Sequence, residues 1–229
     1  MKVGRLGVFA LVAGVVLGFL AGRAEPVPTV VHPVAAPEPG PEHVLLVGDS
    51  ILRQTGPALA DELGEGYAVR NVAVNGSGLL TPAVVDWPAR LEQELALVTP
   101  DLVVLSFIGN YTDDPAELWV DEAGHTITSV EDPALPPAWG RQTDALLAAI
   151  APTGAEVVLV LPPTVPVPAL QAVVDRLRAE YERAAARWPF VRVVDAAAAL
   201  TSPADRAADA VHLSDRGEQR LAAAVAAAV

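Results

Sequence analysis

The fold of this chain is decided by residues 44–50, which read VLLVGDS. Four consecutive aliphatic residues are typical of a strand that is buried on both faces, as the strands of parallel sheets are. Gly48, Asp49 and Ser50 then end the apolar run with residue types that favour a turn into a helix. This stretch therefore predicts the first strand and turn of an open parallel sheet, with Ser50 at the carboxyl end of the strand.

Apolar runs and amphipathic stretches alternate along the rest of the chain. The strands are predicted at residues 43–47, 67–73, 102–107, 156–161 and 191–194. The helices are predicted at residues 57–63, 88–98, 141–150 and 168–187, and from 215 to the C-terminus, with Pro57, Pro88 and Pro168 in first turns. This alternation predicts a parallel sheet with right-handed crossovers. Residues 111–138 break the pattern, and a loop of that length predicts a functional lid or a substrate-binding insertion.

The N-terminus has the residue pattern of a targeting signal. Lys2 and Arg5 precede an apolar run over residues 6–22, which is the arrangement of a secretory signal. The run also reaches the lower length limit for spanning a bilayer. Residues 1–24 are therefore predicted to be either a cleaved signal peptide or a retained single-pass membrane anchor.

The residues after this segment predict a linker and one domain. Six prolines lie between residues 25 and 41, and that density favours an extended spacer. The folded domain is predicted over residues 42–229. With the basic end of the first segment left inside, the domain is expected to be secreted or membrane-anchored, on the extracytoplasmic side.

Charge and cysteine content exclude several classes of protein. The formal net charge is −13, which argues against a nucleic-acid partner, because phosphate binding needs a basic surface. The sequence contains no cysteine, which excludes disulfides, thiolate metal sites and a cysteine nucleophile. No group of His, Asp and Glu has metal-ligand spacing, so we expect no metal and no cofactor.

Polar segments follow the predicted strands where an open parallel sheet binds its ligands, beyond the carboxyl ends. These segments are Gly48-Asp49-Ser50, Asn75-Gly76-Ser77-Gly78, Gly109-Asn110-Tyr111 and, just before the last helix, Asp209-Ala210-Val211-His212. Together they supply a serine, a histidine and an aspartate. A serine hydroxyl becomes an effective nucleophile when an imidazole takes its proton and a carboxylate orients that imidazole.

In their order and placement, the four segments resemble the blocks of the SGNH (GDSL-like) hydrolase family, from Val44 to the last helix. Gly48-Asp49-Ser50 resembles the nucleophile block, residues 71–76 the second block, and Asp209 with His212 the fifth. The resemblance implies a three-layer α/β/α sandwich with a five-stranded parallel, flavodoxin-like sheet. It also implies a triad in which Ser50 is the nucleophile, His212 its base and Asp209 the carboxylate that holds His212.

The resemblance further implies an oxyanion hole. Its donors would be the Ser50 N–H, the Gly76 N–H and the side-chain amide of Asn110. The family's third block usually reads Gly-x-Asn-Asp, whereas this chain has Ile108-Gly109-Asn110-Tyr111. Asn110 is kept, and Tyr111 is interpreted as lining the acyl pocket. Asp49 is expected to serve the turn by structural hydrogen bonds.

Three tryptophans and one further histidine are candidates for substrate contact. Trp87, Trp119 and Trp139 flank or lie within irregular segments. They either pack loops onto the core or form a stacking platform for sugar rings, and Trp87 is the candidate substrate contact. His125 lies in the long insertion and is a second candidate. Asp195 follows the fifth predicted strand and is interpreted as a turn or cap residue.

The functional prediction is a serine esterase that removes a small acyl group, in the first place acetyl, from an extracytoplasmic ester or glycan through an acyl-serine intermediate. An O-acyltransferase using the same triad is the nearest alternative, since a sugar hydroxyl can replace water. A catalytically silent cell-envelope glycan-binding module is the alternative from another class. The expected partner is a small acyl ester or acetylated glycan, and the chain is expected to act as a monomer.

Overall fold

The structure is a computed structural model that describes residues 40–108, 119–166 and 168–229. The predicted signal or anchor, residues 1–24, and the predicted linker up to residue 39 lie outside the described residues. Within the described ranges, no helix has the length and apolar character needed to cross a bilayer.

Seven strands and six α-helices build the described part of the chain. The strands are β1 (Glu42–Gly48), β2 (Tyr67–Asn71), β3 (Leu102–Ser106), β4 (Trp119–Val120), β5 (Thr126–Ile127), β6 (Glu156–Leu161) and β7 (Val191–Asp195). The helices are α1 (Ser50–Leu63), α2 (Trp87–Leu97), α3 (Leu135–Ile150), α4 (Pro168–Arg187), α5 (Ala196–Ala199) and α6 (Asp215–Ala226). Five strands pair in parallel in the order β2-β1-β3-β6-β7, and β4 and β5 form a separate antiparallel hairpin.

Helices cover both faces of the five-stranded sheet. Leu45 and Val47 of β1 pack on the side of α2, α3 and α4, whereas Val44 and Leu46 pack on the side of α1, α5 and α6. This alternation explains the continuous apolar run, because both faces of the strand are buried. The predicted three-layer α/β/α sandwich with a five-stranded parallel, flavodoxin-like sheet is confirmed.

The strand order fixes where a site can form. From β1 the chain first adds β2 on one side and then β3 on the other, so the crevice opens at the carboxyl end of β1. The register pairs Gly48 with Ser106 there. A Cβ at Gly48 would clash with the carbonyl oxygen of Ser106, so glycine allows the two strand ends to approach closely.

The first helix is longer than predicted. It begins at Ser50, so Pro57 lies inside the helix and its predicted first-turn position is wrong. Proline lacks the N–H that would bond the carbonyl four residues earlier, which is the carbonyl of Arg53. That carbonyl instead accepts a hydrogen bond from Asn71 Nδ2 at 3.1 Å. The side chain at the end of β2 thus satisfies the carbonyl that the proline leaves without its helical partner.

The described part of the predicted insertion is more regular than expected. Residues 119–127 form the β4–β5 hairpin, which the Val120 N–H ties to the Leu80 carbonyl at 2.9 Å. Helix α3 begins at Leu135 and not at Arg141, because Leu135 and Trp139 are buried in the core. Residues 111–118 lie outside the described residues, so the lid stays a prediction.

Candidate active site

Ser50 lies where β1 passes into α1. Asp49 is the N-cap of the helix, and its Oδ1 accepts from the Ile51 N–H at 2.9 Å. Its Oδ2 accepts from the Ile108 N–H, beyond β3, at 2.7 Å. Asp49 is fully buried, so both bonds are shielded from water. The structural role predicted for Asp49 is confirmed, and it fixes Ser50 at the carboxyl ends of two neighbouring strands.

His212 reaches Ser50 from the other end of the chain. Its Nε2 lies 3.0 Å from Ser50 Oγ, across 162 positions of sequence. Its Nδ1 lies 2.7 Å from Asp209 Oδ2. The structure therefore brings Ser50, His212 and Asp209 into one hydrogen-bonded chain.

The charge on Asp209 determines the direction of these hydrogen bonds. Bonds from the His212 ring and from the N–H groups of His212 and Val211 lower the pKa of Asp209 to about 2. At neutral pH the carboxylate is ionised and can only accept, so Nδ1 of His212 carries the proton. In a neutral imidazole Nε2 is then the acceptor, and the Ser50 hydroxyl donates to it. This is the tautomer that a base for Ser50 requires.

The turn that carries Asp209 and His212 is held by its own backbone. Asp209 Oδ1 accepts from the N–H groups of Val211 and His212 at 3.0 and 2.9 Å. Ala210, between them, has φ of 60°, in the left-handed region that L-residues rarely adopt. The Ala207 N–H donates to the His212 carbonyl at 2.9 Å and closes the turn.

Two of the three predicted oxyanion donors lie within the described residues. Ser50 is the first residue of α1, where a backbone N–H has no acceptor inside the helix. Gly76 has φ of 70° in the turn after β2, and this turn is tied to Gly48 by the Val74 N–H at 3.0 Å. The third predicted donor, Asn110, and its neighbour Tyr111 lie outside the described residues.

Trp87 and His125 are the predicted substrate contacts that lie within the described residues, and they differ in burial. Trp87 is 1% exposed and packs edge-on against Phe107, with ring centroids 5.2 Å apart. Packing onto the core, the first of the two interpretations, is confirmed for Trp87, and the stacking platform is not, because a buried indole offers no free face to a sugar ring; Trp119 and Trp139 are buried too. His125 is exposed on the β4–β5 turn, with Nδ1 3.1 Å from Asp121 Oδ2. No hydrogen bond between described residues joins His125 to Ser50 or His212, so its substrate contact stays a prediction.

Sequence reasoning missed Arg206. Its Nη2 donates to the Thr164 carbonyl at 2.9 Å and its Nη1 to the Val211 carbonyl at 3.3 Å, so it links the turn to the segment after β6. Main-chain acceptors leave no mark in a sequence, and only the nearness of Arg206 to Asp209 could have drawn attention to it.

Within the described ranges, no group of three or more His, Asp or Glu side chains could hold a metal ion.

Several solved structures share this fold. A candidate SGNH hydrolase from Slackia heliotrinireducens has 23% identity and a TM-score of 0.59, covering 82% of this chain and 99% of its own. The C-terminal catalytic domain of peptidoglycan O-acetyltransferase A from Streptococcus pneumoniae has 19% identity and a TM-score of 0.58, covering 83% and 93%. An acetylxylan esterase from Geobacillus stearothermophilus has 18% identity and a TM-score of 0.60, covering 82% and 94%. At these identities the likeness establishes the fold.

The sequence itself matches one family. Residues 43–206 match the family described as "Protein of unknown function (DUF459)", and that match spans more than half of the chain. A comparison with curated proteins finds no significant match. The chain belongs to the DUF459 family, and its fold is that of the SGNH hydrolases.

Proposed function

We propose that this protein is a serine esterase that removes a small acyl group, in the first place acetyl, from an extracytoplasmic ester or glycan. One observation carries the proposal: Ser50 Oγ lies 3.0 Å from His212 Nε2, and His212 Nδ1 lies 2.7 Å from Asp209 Oδ2. Both distances are those of made hydrogen bonds. A nucleophile, a base and an orienting carboxylate are therefore aligned before substrate binds.

Acylation follows from this geometry. Ser50 Oγ attacks the carbonyl carbon of the ester while its proton passes to Nε2 of His212. Asp209 stabilises the imidazolium that forms. The tetrahedral oxyanion is bound by the backbone N–H groups of Ser50 and Gly76. The side-chain amide of Asn110 is the third predicted donor. The intermediate then expels the alcohol, which takes the proton from His212, and leaves an acyl group on Ser50.

In deacylation water is the nucleophile and Ser50 is the leaving group. Water gives a proton to His212 Nε2 as its oxygen attacks the acyl carbon. The second tetrahedral intermediate collapses, Ser50 recovers the proton, and a carboxylic acid leaves. His212 is 33% exposed and its turn borders solvent, which supports water as the acceptor.

The acetyl group and the extracytoplasmic substrate have separate support. Two solved structures of the same fold are an acetylxylan esterase and a peptidoglycan O-acetyltransferase domain, both named for acetyl groups on glycans. The predicted signal or anchor at residues 1–24 supports export. O-acetyl transfer is the second candidate, because the same acyl-serine can pass its acyl group to a sugar hydroxyl.

The first test is hydrolysis of p-nitrophenyl acetate and butyrate by the full chain. We expect turnover of acetate above butyrate, and a loss of kcat of about 10⁴-fold or more in Ser50→Ala and in His212→Ala. His43→Ala is the matched control, because His43 is an exposed histidine at the start of β1 and should leave kcat unchanged. Far-UV circular dichroism verifies that each variant is folded.

A serine-directed phosphonate separates the remaining alternatives. Labelling that is lost in Ser50→Ala supports the enzyme. Labelling without hydrolysis, followed by turnover when a sugar acceptor is added, indicates the transferase. Folded protein that neither hydrolyses ester nor takes the label would contradict the proposal and leave the glycan-binding module.

A further inference from the structure

The turn that carries Asp209 and His212 is well anchored at its base, where residues 205 and 206 face residues 213 and 214. Arg206 and Leu213 form an antiparallel bridge, and the Ser214 N–H donates to the Asp205 carbonyl at 3.1 Å. The buried Asp205 carboxylate accepts from Arg220 Nη1 at 3.0 Å and so ties this base to α6. The point where the turn leaves the domain is therefore fixed.

The tip of the turn has fewer attachments. The side chains of Asp209 and His212 are 52% and 33% exposed, so burial does little to hold them. Hydrogen bonds between described residues that join residues 206–212 to distant parts of the sheet edge include His212 to Ser50, which is the contact used in catalysis, and Arg206 to Thr164.

The segment that receives Arg206 is itself fixed. Two residues before Thr164, the Pro162 carbonyl accepts from Arg178 Nη1 at 2.6 Å. One residue after it, the Val165 N–H donates to Gln171 Oε1 at 2.8 Å. Both donor and acceptor lie on α4, so the segment that contains Thr164 is held on both sides by one helix.

We propose that Arg206 is a positioning residue that sets the approach of His212 to Ser50. This inference rests on the proposed function. A guanidinium is planar and presents several N–H donors in a fixed arrangement, so it can bond two carbonyls at once. Through Nη1 it holds the Val211 carbonyl, next to His212, and through Nη2 it holds Thr164. Arg206 thereby links the tip of the turn to a fixed segment and limits its movement relative to β1.

The expected effect is on turnover rather than on substrate binding. A displacement of a catalytic group by about 1 Å can cost about 100-fold in rate. We expect Arg206→Ala to lower kcat by about 10- to 100-fold with KM within about 3-fold, because the displaced group, His212, takes part in the chemical step and does not hold the bound substrate. Arg206→Lys should recover part of kcat, since an ammonium can still reach one of the two carbonyls.

Arg192 provides a matched control. It also donates from one guanidinium to two carbonyls, those of Ala228 and Val229, at 2.7 and 2.9 Å. It lies on β7 near the amino end of the strand, whereas the triad lies at the carboxyl ends. Arg192→Ala therefore removes a chemically similar clamp and should leave kcat within about 2-fold of the unsubstituted protein.

A second readout does not depend on turnover. The proton NMR signal of His212 Nδ1, bonded to the Asp209 carboxylate, should be present in the unsubstituted protein and in Arg192→Ala. It should broaden or disappear in Arg206→Ala, because the turn then exchanges between positions. This arm works even if no ester is hydrolysed, so failure of the proposed function is distinguishable from failure of the positioning role.

Arg206→Ala with kcat within about 2-fold and an unchanged His212 signal would overturn the inference. An equal loss of kcat in Arg192→Ala would overturn it as well, because the effect would then be general destabilisation. If the alanine variant does not fold, Arg206→Gln carries the same test, since it keeps a planar donor group but removes the charge and the fork. A folded Gln variant with full kcat and an intact signal counts against the role.

Discussion

The two halves of the site are built in opposite ways. Ser50 is 7% exposed and lies at the junction of β1 and α1, beside the fully buried Asp49. Asp209 and His212 lie on a turn before α6, where the Asp209 side chain is exposed and the His212 side chain is half-buried. The nucleophile half is positioned by the sheet, and the base half by a few polar contacts.

This difference separates stability from activity. Substitutions in the nucleophile half disturb buried hydrogen bonds and should lower the free energy of unfolding as well as the rate. Substitutions in the base half remove contacts between exposed groups, which contribute little to stability. The base half can therefore be altered with a large effect on chemistry and a small effect on folding.

The largest effect is expected from Asp209→Asn. An amide can donate to His212 Nδ1 and so favours the tautomer with the proton on Nε2, which cannot accept from Ser50. We expect kcat to fall by about 10⁴-fold, while the free energy of unfolding at pH 7 changes by less than about 1 kcal/mol. Steady-state kinetics and urea unfolding measure the two quantities. A parallel loss of several kcal/mol in the free energy of unfolding would contradict the difference between the two halves of the site.

The pH profile of the unsubstituted protein tests whether Asp209 is ionised over the pH range in which the enzyme works. The hydrogen bond from the His212 ring lowers the pKa of Asp209 from its ordinary value of 3.8 to about 2. A carboxyl group whose pKa is lowered in the folded state stabilises that state above its unfolded pKa, and this contribution is lost as the pH falls from about 4 towards 2. Asp209 should therefore add no ionisation of its own to the acid limb of log kcat/KM above pH 4. A slope of two in that range would mean that Asp209 is protonated there.

The next effect in size is expected from Asp49→Ala. The substitution leaves the N–H groups of Ile51 and Ile108 without their acceptor in a buried site. Each such loss costs about 1–3 kcal/mol, so we expect about 3 kcal/mol less stability. Asp86→Ala is the matched control, because Asp86 is an exposed N-cap that accepts from the Ala89 N–H, and its loss should cost about 1 kcal/mol. Equal losses in the two variants would show that burial does not distinguish the nucleophile half.

The elements that sequence patterns predict well are the buried ones. Strand β1 was identifiable because a strand covered on both faces must be apolar at every position. Ser50, Asp209 and His212 were found by their resemblance to family blocks placed at strand ends. Their convergence could not be read from spacing, because it depends on strand order across 162 positions.

The features that were missed depend on contacts between distant residues. The sequence places Pro57 in a first turn, where the missing N–H costs nothing. Inside α1 the proline is tolerated because Asn71 of β2 donates to the Arg53 carbonyl, a contact that the sequence of the helix does not show. The sequence leaves Trp87 either packed onto the core or in contact with substrate, and only the structure shows that it packs on Phe107 beyond β3. Arg206 donates to main-chain carbonyls, and every residue has one. Such contacts become visible only when the chain is folded.

The smallest effect is expected from Ala210→Gly, and its sign tests the strain in the base half. A left-handed conformation costs an L-residue about 1–2 kcal/mol, and glycine avoids this cost. Glycine also gives the unfolded chain more freedom, which offsets about 0.4–1 kcal/mol of that gain. We expect Ala210→Gly to raise stability by up to about 1 kcal/mol and to leave kcat within about 2-fold. Ala208→Gly, in the same turn at a position without positive φ, should instead lower stability. If both substitutions destabilise equally in urea unfolding, Ala210 is not strained in solution, and polar contacts alone determine the shape of the turn.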